Sequence, residues 1–240
     1  MRRSRHVSPA LRSAEVLDDA PAPADTLRYL LHLPDDYDDD PNRLWPLVLF
    51  LHGAGERGSD LELAAVHGPP KLADTGEEYP FILVTPQCGS ASHWVAELST
   101  LAVMLDEVIS AHRVDQERVS VTGLSMGGYG TWSLAVRYPD RFAAIAPICG
   151  GLWMQSAAPL RDIPVWAFHG DADDVVPIAE TERIVDELQA LDADVRFTRY
   201  AGVGHDSWTV SYANPELYEW MLSPRHGVER DGPGVDETAR

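Results

Sequence analysis

The stretch 118–132 constrains the fold more than any other part of the chain. It begins with Val119 and Val121 on one face of a short strand, continues as Gly-Leu-Ser-Met-Gly at 123–127, and ends in an apolar helical run. A strand that turns sharply into a helix leaves no room for side chains at the two glycines and lifts the serine hydroxyl clear of the sheet edge. In this setting Gly-x-Ser-x-Gly predicts a nucleophile at Ser125; the alternative is an ordinary strand-turn-helix connection.

The composition indicates a globular domain whose partners are not polyanions. With 240 residues, of which 45% are hydrophobic, the chain can bury a sizeable core. Its formal net charge of −19 argues against nucleic acid and anionic membrane surfaces as partners. The sequence has no apolar run that could span a bilayer and no secretory signal after its basic start. Two cysteines are too few for a disulfide framework, so we expect a cytoplasmic protein with reduced thiols.

Apolar runs alternate between strand and helix patterns along most of the chain. We expect an N-terminal arm at 1–25, one catalytic domain at 26–222, and a polar, disordered tail at 223–240. The predicted strands are 26–33, 47–51, 81–84, the strand before Ser125, 142–148, 164–168 and 195–200. The predicted helices are 101–109, the one after Ser125, 184–191, and one that begins at 214–215. This alternation predicts an α/β domain with a mostly parallel sheet, whose functional residues gather at the carboxyl ends of the strands.

A serine nucleophile needs a base, which is usually an oriented histidine. With a Gly-x-Ser-x-Gly turn, the acid follows the serine in the chain and the histidine follows the acid. Among nine histidines, His205 lies in a glycine-flanked loop after the last predicted strand, and it is the candidate base. His52 and His169 also end strands, but we interpret both as structural.

The acid that orients the imidazole should follow the strand 164–168. Asp171, Asp173 and Asp174 all lie there, and spacing alone does not separate them. We select Asp173 and interpret its two neighbours as loop-capping or solvated residues.

Two backbone N–H groups should stabilise the oxyanion that forms during attack on a carbonyl. One is expected from Met126, directly after the nucleophile, and the other from Ala54 in the His-Gly-Ala-Gly loop at 52–55. A phosphate-binding loop is the alternative, but the Lys-Ser/Thr pair of a P-loop is missing. This chemistry requires no cofactor and no metal.

Six motifs occur in an order typical of one superfamily. They are Phe50-Leu-His-Gly-Ala-Gly-Glu56, Thr85-Pro-Gln-Cys88 with Trp94 beyond, the stretch 123–132, Ala146-Pro-Ile-Cys-Gly-Gly151, Pro164-Val-Trp-Ala-Phe-His-Gly170 and His205-Asp-Ser-Trp208. Over 26–222 the chain resembles the α/β-hydrolase superfamily, more narrowly the carboxylesterase/phospholipase-like and prolyl-oligopeptidase-like hydrolases. The resemblance implies the α/β-hydrolase fold, with helices on both faces of the sheet, and a triad of Ser125, Asp173 and His205. Peptidases of the second group carry a large N-terminal propeller that this chain has no room for, which favours a small esterase.

The loops suggest an open cleft. The gap between the strand 142–148 and the acid-bearing strand is short, so we expect no large lid domain and a small-molecule or polymer-borne ester as substrate. Trp94 and Trp208 are candidate pocket residues, with Trp153 a weaker one, although tryptophan also packs in cores. Cys88 and Cys149 are interpreted as structural.

The sequence therefore predicts a serine hydrolase that cleaves carboxylic esters through an acyl-enzyme. A peptidase or thioesterase could use the same triad, and a non-catalytic ligand-binding scaffold could share the fold. The sequence makes no prediction about the oligomeric state.

Overall fold

The structure is a computed structural model that describes residues 1–7, 27–224 and 226. Most of the predicted N-terminal arm and most of the predicted tail therefore lie outside the described residues.

The described part of the chain contains one eight-stranded sheet. Its strands are β1 Arg2–Val7, β2 Arg28–Leu33, β3 Trp45–Leu51, β4 Ile82–Pro86, β5 Val114–Leu124, β6 Ala144–Ile148, β7 Val165–Gly170 and β8 Val195–Tyr200. They follow the order β1-β2-β4-β3-β5-β6-β7-β8. The β1–β2 and β2–β4 pairs are antiparallel, whereas all pairs from β4 to β8 are parallel. The carboxyl ends of six strands thus meet at one edge of the sheet, as predicted.

Helices cover both faces of this sheet. They are α1 Gly68–Asp74, α2 Leu98–Ala111, α3 Met126–Arg137, α4 Ala179–Ala190, α5 Trp208–Tyr212 and α6 Pro215–Leu222. Alternate residues of β3 enter different cores: Leu49 belongs to the core that also contains side chains of α2, α3 and α4, and Phe50 belongs to the core that contains side chains of α1, α5 and α6. Side chains of a strand point alternately to the two faces, so a continuous apolar run is buried on both. The predicted fold class is confirmed.

The sequence predicted the short connection between β6 and β7 but not strand β1. Between β6 and β7 the described chain contains one short 3₁₀ turn, Ala158–Leu160, and no inserted helix or strand, consistent with the expected lack of a large lid. Strand β1 was not predicted, because its polar sequence has no apolar alternation. It pairs with the backbone of β2 at the edge of the sheet, where Arg3 contacts Asp74 at 2.8 Å.

Within the described residues, no helix is long and apolar enough to cross a membrane.

Candidate active site

Ser125 lies at the sharp turn between β5 and α3 in a backbone conformation that non-glycine residues rarely adopt. Its φ and ψ angles are 53° and −116°. The turn is possible because a Cβ at Gly123 would lie 2.5 Å from the carbonyl oxygen of Gly127, and one at Gly127 would overlap the carbonyl of Leu51. The strain at Ser125 therefore serves to present its side chain at the edge of the sheet.

The fold brings Ser125, His205 and Asp173 together, although they come from three different strand ends. His205 Nδ1 lies 2.7 Å from Asp173 Oδ2, and its Nε2 lies 2.9 Å from Ser125 Oγ. An ionised carboxylate can only accept a hydrogen bond, so Nδ1 carries the ring proton and donates a hydrogen bond to Asp173. In the neutral ring Nε2 is then the acceptor for the serine hydroxyl. This is the tautomer that a general base requires.

The tertiary structure separates the three aspartates that follow β7. The Asp173 side chain is fully buried, and its Oδ1 accepts the N–H groups of Val175 and Val176, each at 2.9 Å. Burial by itself would raise the pKa of Asp173, but the hydrogen bonds from His205 and the two N–H groups outweigh it and hold that pKa below its usual value. Asp171 instead accepts the N–H of Gly202 at 2.6 Å.

His169 was interpreted as structural, yet it contacts the same carboxylate. Its Nε2 lies 3.1 Å from Asp173 Oδ2, and the ring is fully buried. Sequence reasoning had no signal for this contact except the place of His169 at a strand end, four residues before Asp173.

The loop after β3, residues 52–57, is held by hydrogen bonds to its backbone carbonyls. The donors are Trp94 Nε1 to His52 O (2.8 Å), Arg57 Nε to Ala54 O (3.0 Å) and Gln87 Nε2 to Glu56 O (3.1 Å). Ala54 begins the 3₁₀ turn Ala54–Glu56 and Met126 begins α3, and the first N–H groups of a helix have no acceptor within it. Neither N–H group therefore has an acceptor within its own helix or turn, which is a property that an oxyanion donor needs.

The ring of His52 holds the peptide that carries the N–H of Ala54. Its Nε2 accepts the N–H of Cys88 at 3.0 Å, so the ring proton is on Nδ1 and is donated to the carbonyl of Gly53 at 2.7 Å. Burial lowers the pKa of His52 to about 4, which keeps the ring neutral. The Gly53 carbonyl and the Ala54 N–H belong to one planar peptide unit, so fixing the oxygen also fixes the direction of the N–H.

We expect His52→Ala to lower kcat by about 10²–10³-fold, the cost of losing one oxyanion donor. KM should change little, because the N–H interacts more strongly with the oxyanion than with the ground-state carbonyl. Steady-state kinetics of the variant measure both constants. His32→Ala, which removes another buried histidine, is the control. A rise of KM by about 10²–10³-fold with unchanged kcat would contradict this role of the loop.

A cavity of about 200 Å³ opens beside Ser125. Its lining residues are His93, Trp94, Val95, Ser125, Met126, Tyr129 and Trp153. Trp153 is 62% exposed, and its ring lies 5.2 Å from that of His93 and 5.6 Å from that of Tyr129. The cavity therefore has a largely aromatic wall, of which sequence reasoning found only the tryptophans.

The two tryptophans predicted for the pocket have different places. Trp94 lines the cavity, but its side chain is fully buried and packs edge-on against His52. Trp208 does not line it; its ring lies 5.3 Å from that of His205 and perpendicular to it.

Among the described residues, one group of three side chains could hold a metal ion. It comprises Cys149, Asp173 and His205, whose ligand atoms lie within 4.8 Å of one another. Two of these groups already bond to each other, and burial raises the pKa of the Cys149 thiol to about 12. Cys88 and Cys149 are both free and buried.

The model of the Dienelactone hydrolase family matches residues 92–216, just over half of the chain. Poly(3-hydroxyalkanoate) depolymerase C of Paucimonas lemoignei is 33% identical over an alignment of 121 residues; the match covers 44% of this chain and 28% of that protein. The bifunctional acetylxylan esterase/xylanase XynS20E of Neocallimastix patriciarum is 28% identical over an alignment of 142 residues; the match covers 57% of this chain and 20% of that protein. The chain thus spans well under half the length of these curated relatives.

The crystal structure of a thermostable esterase has the same fold. It superposes with a TM-score of 0.74 at 32% sequence identity, and the match covers 83% of this chain and 60% of that one.

Proposed function

The chain belongs to the dienelactone hydrolase family of the α/β-hydrolase superfamily, and on that premise we propose that it is a serine hydrolase that cleaves carboxylic esters. The observation that carries this proposal is the hydrogen-bonded series from Ser125 to His205 to Asp173, with contacts of 2.9 and 2.7 Å. No cofactor or metal enters the proposed reaction.

The proposed mechanism proceeds through an acyl-enzyme. Ser125 Oγ attacks the ester carbonyl while His205 Nε2 takes its proton, and the N–H groups of Ala54 and Met126 hold the oxyanion. The C–O bond to the alcohol then breaks, and His205 returns the proton to the leaving oxygen. Water, deprotonated by His205, then attacks the acyl carbon, the C–Oγ bond breaks, and His205 returns the proton to Ser125 Oγ, which releases the carboxylic acid and restores the free enzyme.

The cavity supports a substrate with one aromatic ring. An apolar cavity of about 150 Å³ accepts benzene, so 200 Å³ accommodates a ring and a few further atoms. The rings of His93, Tyr129 and Trp153 offer faces and edges against which a planar group can stack. Because the segment between β6 and β7 is short, a bulky or polymeric remainder of the substrate can stay outside the cleft.

We expect Trp153→Ala to raise KM for aromatic esters by about 2- to 10-fold, which corresponds to the interaction free energy of one aromatic pair. The KM for the matched acetate ester should stay as in wild type, because an acetyl group has no ring to stack on Trp153. Leu44→Ala, at another exposed apolar residue (54% exposed) just before β3, is the control. Equal changes for acetate and aromatic esters would contradict the ring subsite.

A peptidase or a thioesterase could use the same three side chains, so the leaving group decides between these reactions. The test is hydrolysis of an oxyester, a thioester and an anilide that carry the same acyl group. We expect the highest kcat/KM on the oxyester; a clear preference for the anilide or the thioester would replace the proposed activity. A protein that binds these compounds and hydrolyses none of them would be a binding scaffold.

A cytoplasmic location is part of the proposal. It is supported by the two free, buried cysteines, since free thiols persist in a reducing compartment.

A further inference from the structure

His169 ends β7 and is buried with polar groups on both ring nitrogens. Its Nδ1 lies 2.8 Å from Thr181 Oγ1, and its Nε2 lies 2.9 Å from the carbonyl oxygen of Val176 and 3.1 Å from Asp173 Oδ2. Both neighbours of Nε2 are acceptors when the carboxylate is ionised, so Nε2 must carry a proton. The single N–H of His169 Nε2 is therefore shared between the carbonyl of Val176 and Asp173 Oδ2.

Two histidines share one carboxylate oxygen. Asp173 Oδ2 accepts from His205 Nδ1 at 2.7 Å and from His169 Nε2 at 3.1 Å, while Oδ1 is occupied by two backbone N–H groups. Val176 closes the arrangement, because its N–H donates to Asp173 and its carbonyl accepts from His169. His169 thus holds both the carboxylate and the turn that carries it.

From this geometry we propose that His169 is a positioning residue that orients Asp173 and sets the pH at which His205 becomes an active base. The inference rests on the proposed function, in which His205 is that base. His169 acts only through Asp173 and has no contact with Ser125 among its described hydrogen bonds.

The direction of the effect follows from charge. The N–H of His169 draws negative charge on Oδ2 toward itself and leaves less of it to stabilise the His205 imidazolium. Removing this donor should raise the pKa of His205 and move the acidic limb of the pH–rate profile upward. The sign does not depend on the charge of His169, because a cationic ring would also repel the His205 imidazolium. Burial lowers the pKa of His169 and favours the neutral ring.

Other titratable groups near Asp173 and His205 stay the same in the variants. Burial keeps the pKa of the Cys149 thiol near 12 and raises that of the Tyr129 phenol, so both are neutral in the relevant range. Asp206 is exposed and accepts from Thr209 N at 3.1 Å. None of these groups replaces the N–H that His169 gives to Asp173.

The experiment compares His169→Phe, which removes the donor, with His169→Gln, whose amide can keep an N–H near the position of Nε2. The control is His32→Phe, because His32 Nε2 also lies 3.1 Å from a carboxylate, that of Asp74, away from the site. We expect the acidic limb of kcat/KM to move up by about 0.5 to 1 pH unit in His169→Phe. It should stay at the wild-type value in His169→Gln and His32→Phe.

A readout independent of turnover is the NMR titration of the His205 ring in the same proteins. An upward shift of the His205 pKa in His169→Phe alone would support the proposal. Identical His205 titrations in all four proteins, or the same shift with Gln as with Phe, would overturn it. Because the titration needs no substrate, it tests His169 even if wild type hydrolyses no ester, a result that would contradict only the proposed activity. If His169→Phe does not fold, the comparison of His169→Gln with wild type is the test. A His205 pKa in His169→Gln that differs from the wild-type value would overturn the role of the N–H.

Discussion

Ser125→Ala is expected to lower kcat for ester hydrolysis by about 10⁶-fold, the cost of losing a triad nucleophile. The reason is geometric as well as chemical, because the strained turn leaves Ser125 Oγ as the hydroxyl within 2.9 Å of His205 Nε2. The measurement is turnover of a p-nitrophenyl ester series from acetate to an aryl ester. Ser133→Ala, at a buried serine of α3, is the matched control and should keep wild-type activity.

A second measurement tests the same residue without turnover. A fluorophosphonate should form one covalent adduct with wild type, at Ser125, and none with Ser125→Ala; intact-protein mass spectrometry measures the added mass. Equal turnover by wild type and Ser125→Ala would show that another residue is the nucleophile. Silence of wild type across esters, thioesters and anilides would leave only a binding role for the fold.

Asp173→Asn is expected to lower kcat by about 10⁴-fold with little change in KM. The asparagine NH₂ group can donate to His205 Nδ1. This would favour the tautomer with the proton on Nε2, and a protonated Nε2 cannot accept the hydroxyl proton of Ser125. Asp171→Asn and Asp174→Asn are matched controls from the same loop. Steady-state kinetics at a pH well above the acidic limb separate a loss of base function from a change in titration.

The three variants together test the choice made among the aspartates. A loss confined to Asp173→Asn supports it. A comparable loss in Asp171→Asn would mean that the cap on Gly202 N, at 2.6 Å, matters as much as the buried carboxylate, and an unchanged kcat in Asp173→Asn would exclude Asp173 as the acid.

Much of the fold was predictable because its signals are local. The buried run at 47–51 lies within β3 Trp45–Leu51, and the predicted strand 195–200 has the bounds of β8. The antiparallel strand β1 was missed, since its pairing depends on the backbone of β2 and not on its own side chains. Helices α1 and α5 were also missed, because elements of 7 and 5 residues are too short for a clear apolar period.

The candidate site divides in the same way. Motif and chain order pointed to Ser125 and His205 and narrowed the acid to three aspartates, from which Asp173 was selected. The fold brings Ser125, His205 and Asp173 together, and their roles are the predictions tested above. The aromatic wall of the cavity was only partly found, because His93 and Tyr129 reach Trp153 from separate elements of the chain.

The sequence by itself determined the strand-turn-helix at Ser125, the α/β alternation, and the order in which the serine, the aspartates and the histidine follow one another. Each of these was recognised from a local motif or a local apolar pattern. Only the tertiary structure decided which aspartate is buried, that His169 shares its oxygen, and that His52 fixes the peptide before Ala54. The contacts of His169 with Asp173 and of His52 with Gly53 join near neighbours in sequence. Each is fixed, however, by a partner farther along the chain: Thr181 holds His169, Cys88 holds His52, and His205, 32 positions after Asp173, holds that carboxylate. Their strength depends on burial, which a residue acquires only when the strands and helices around it have packed.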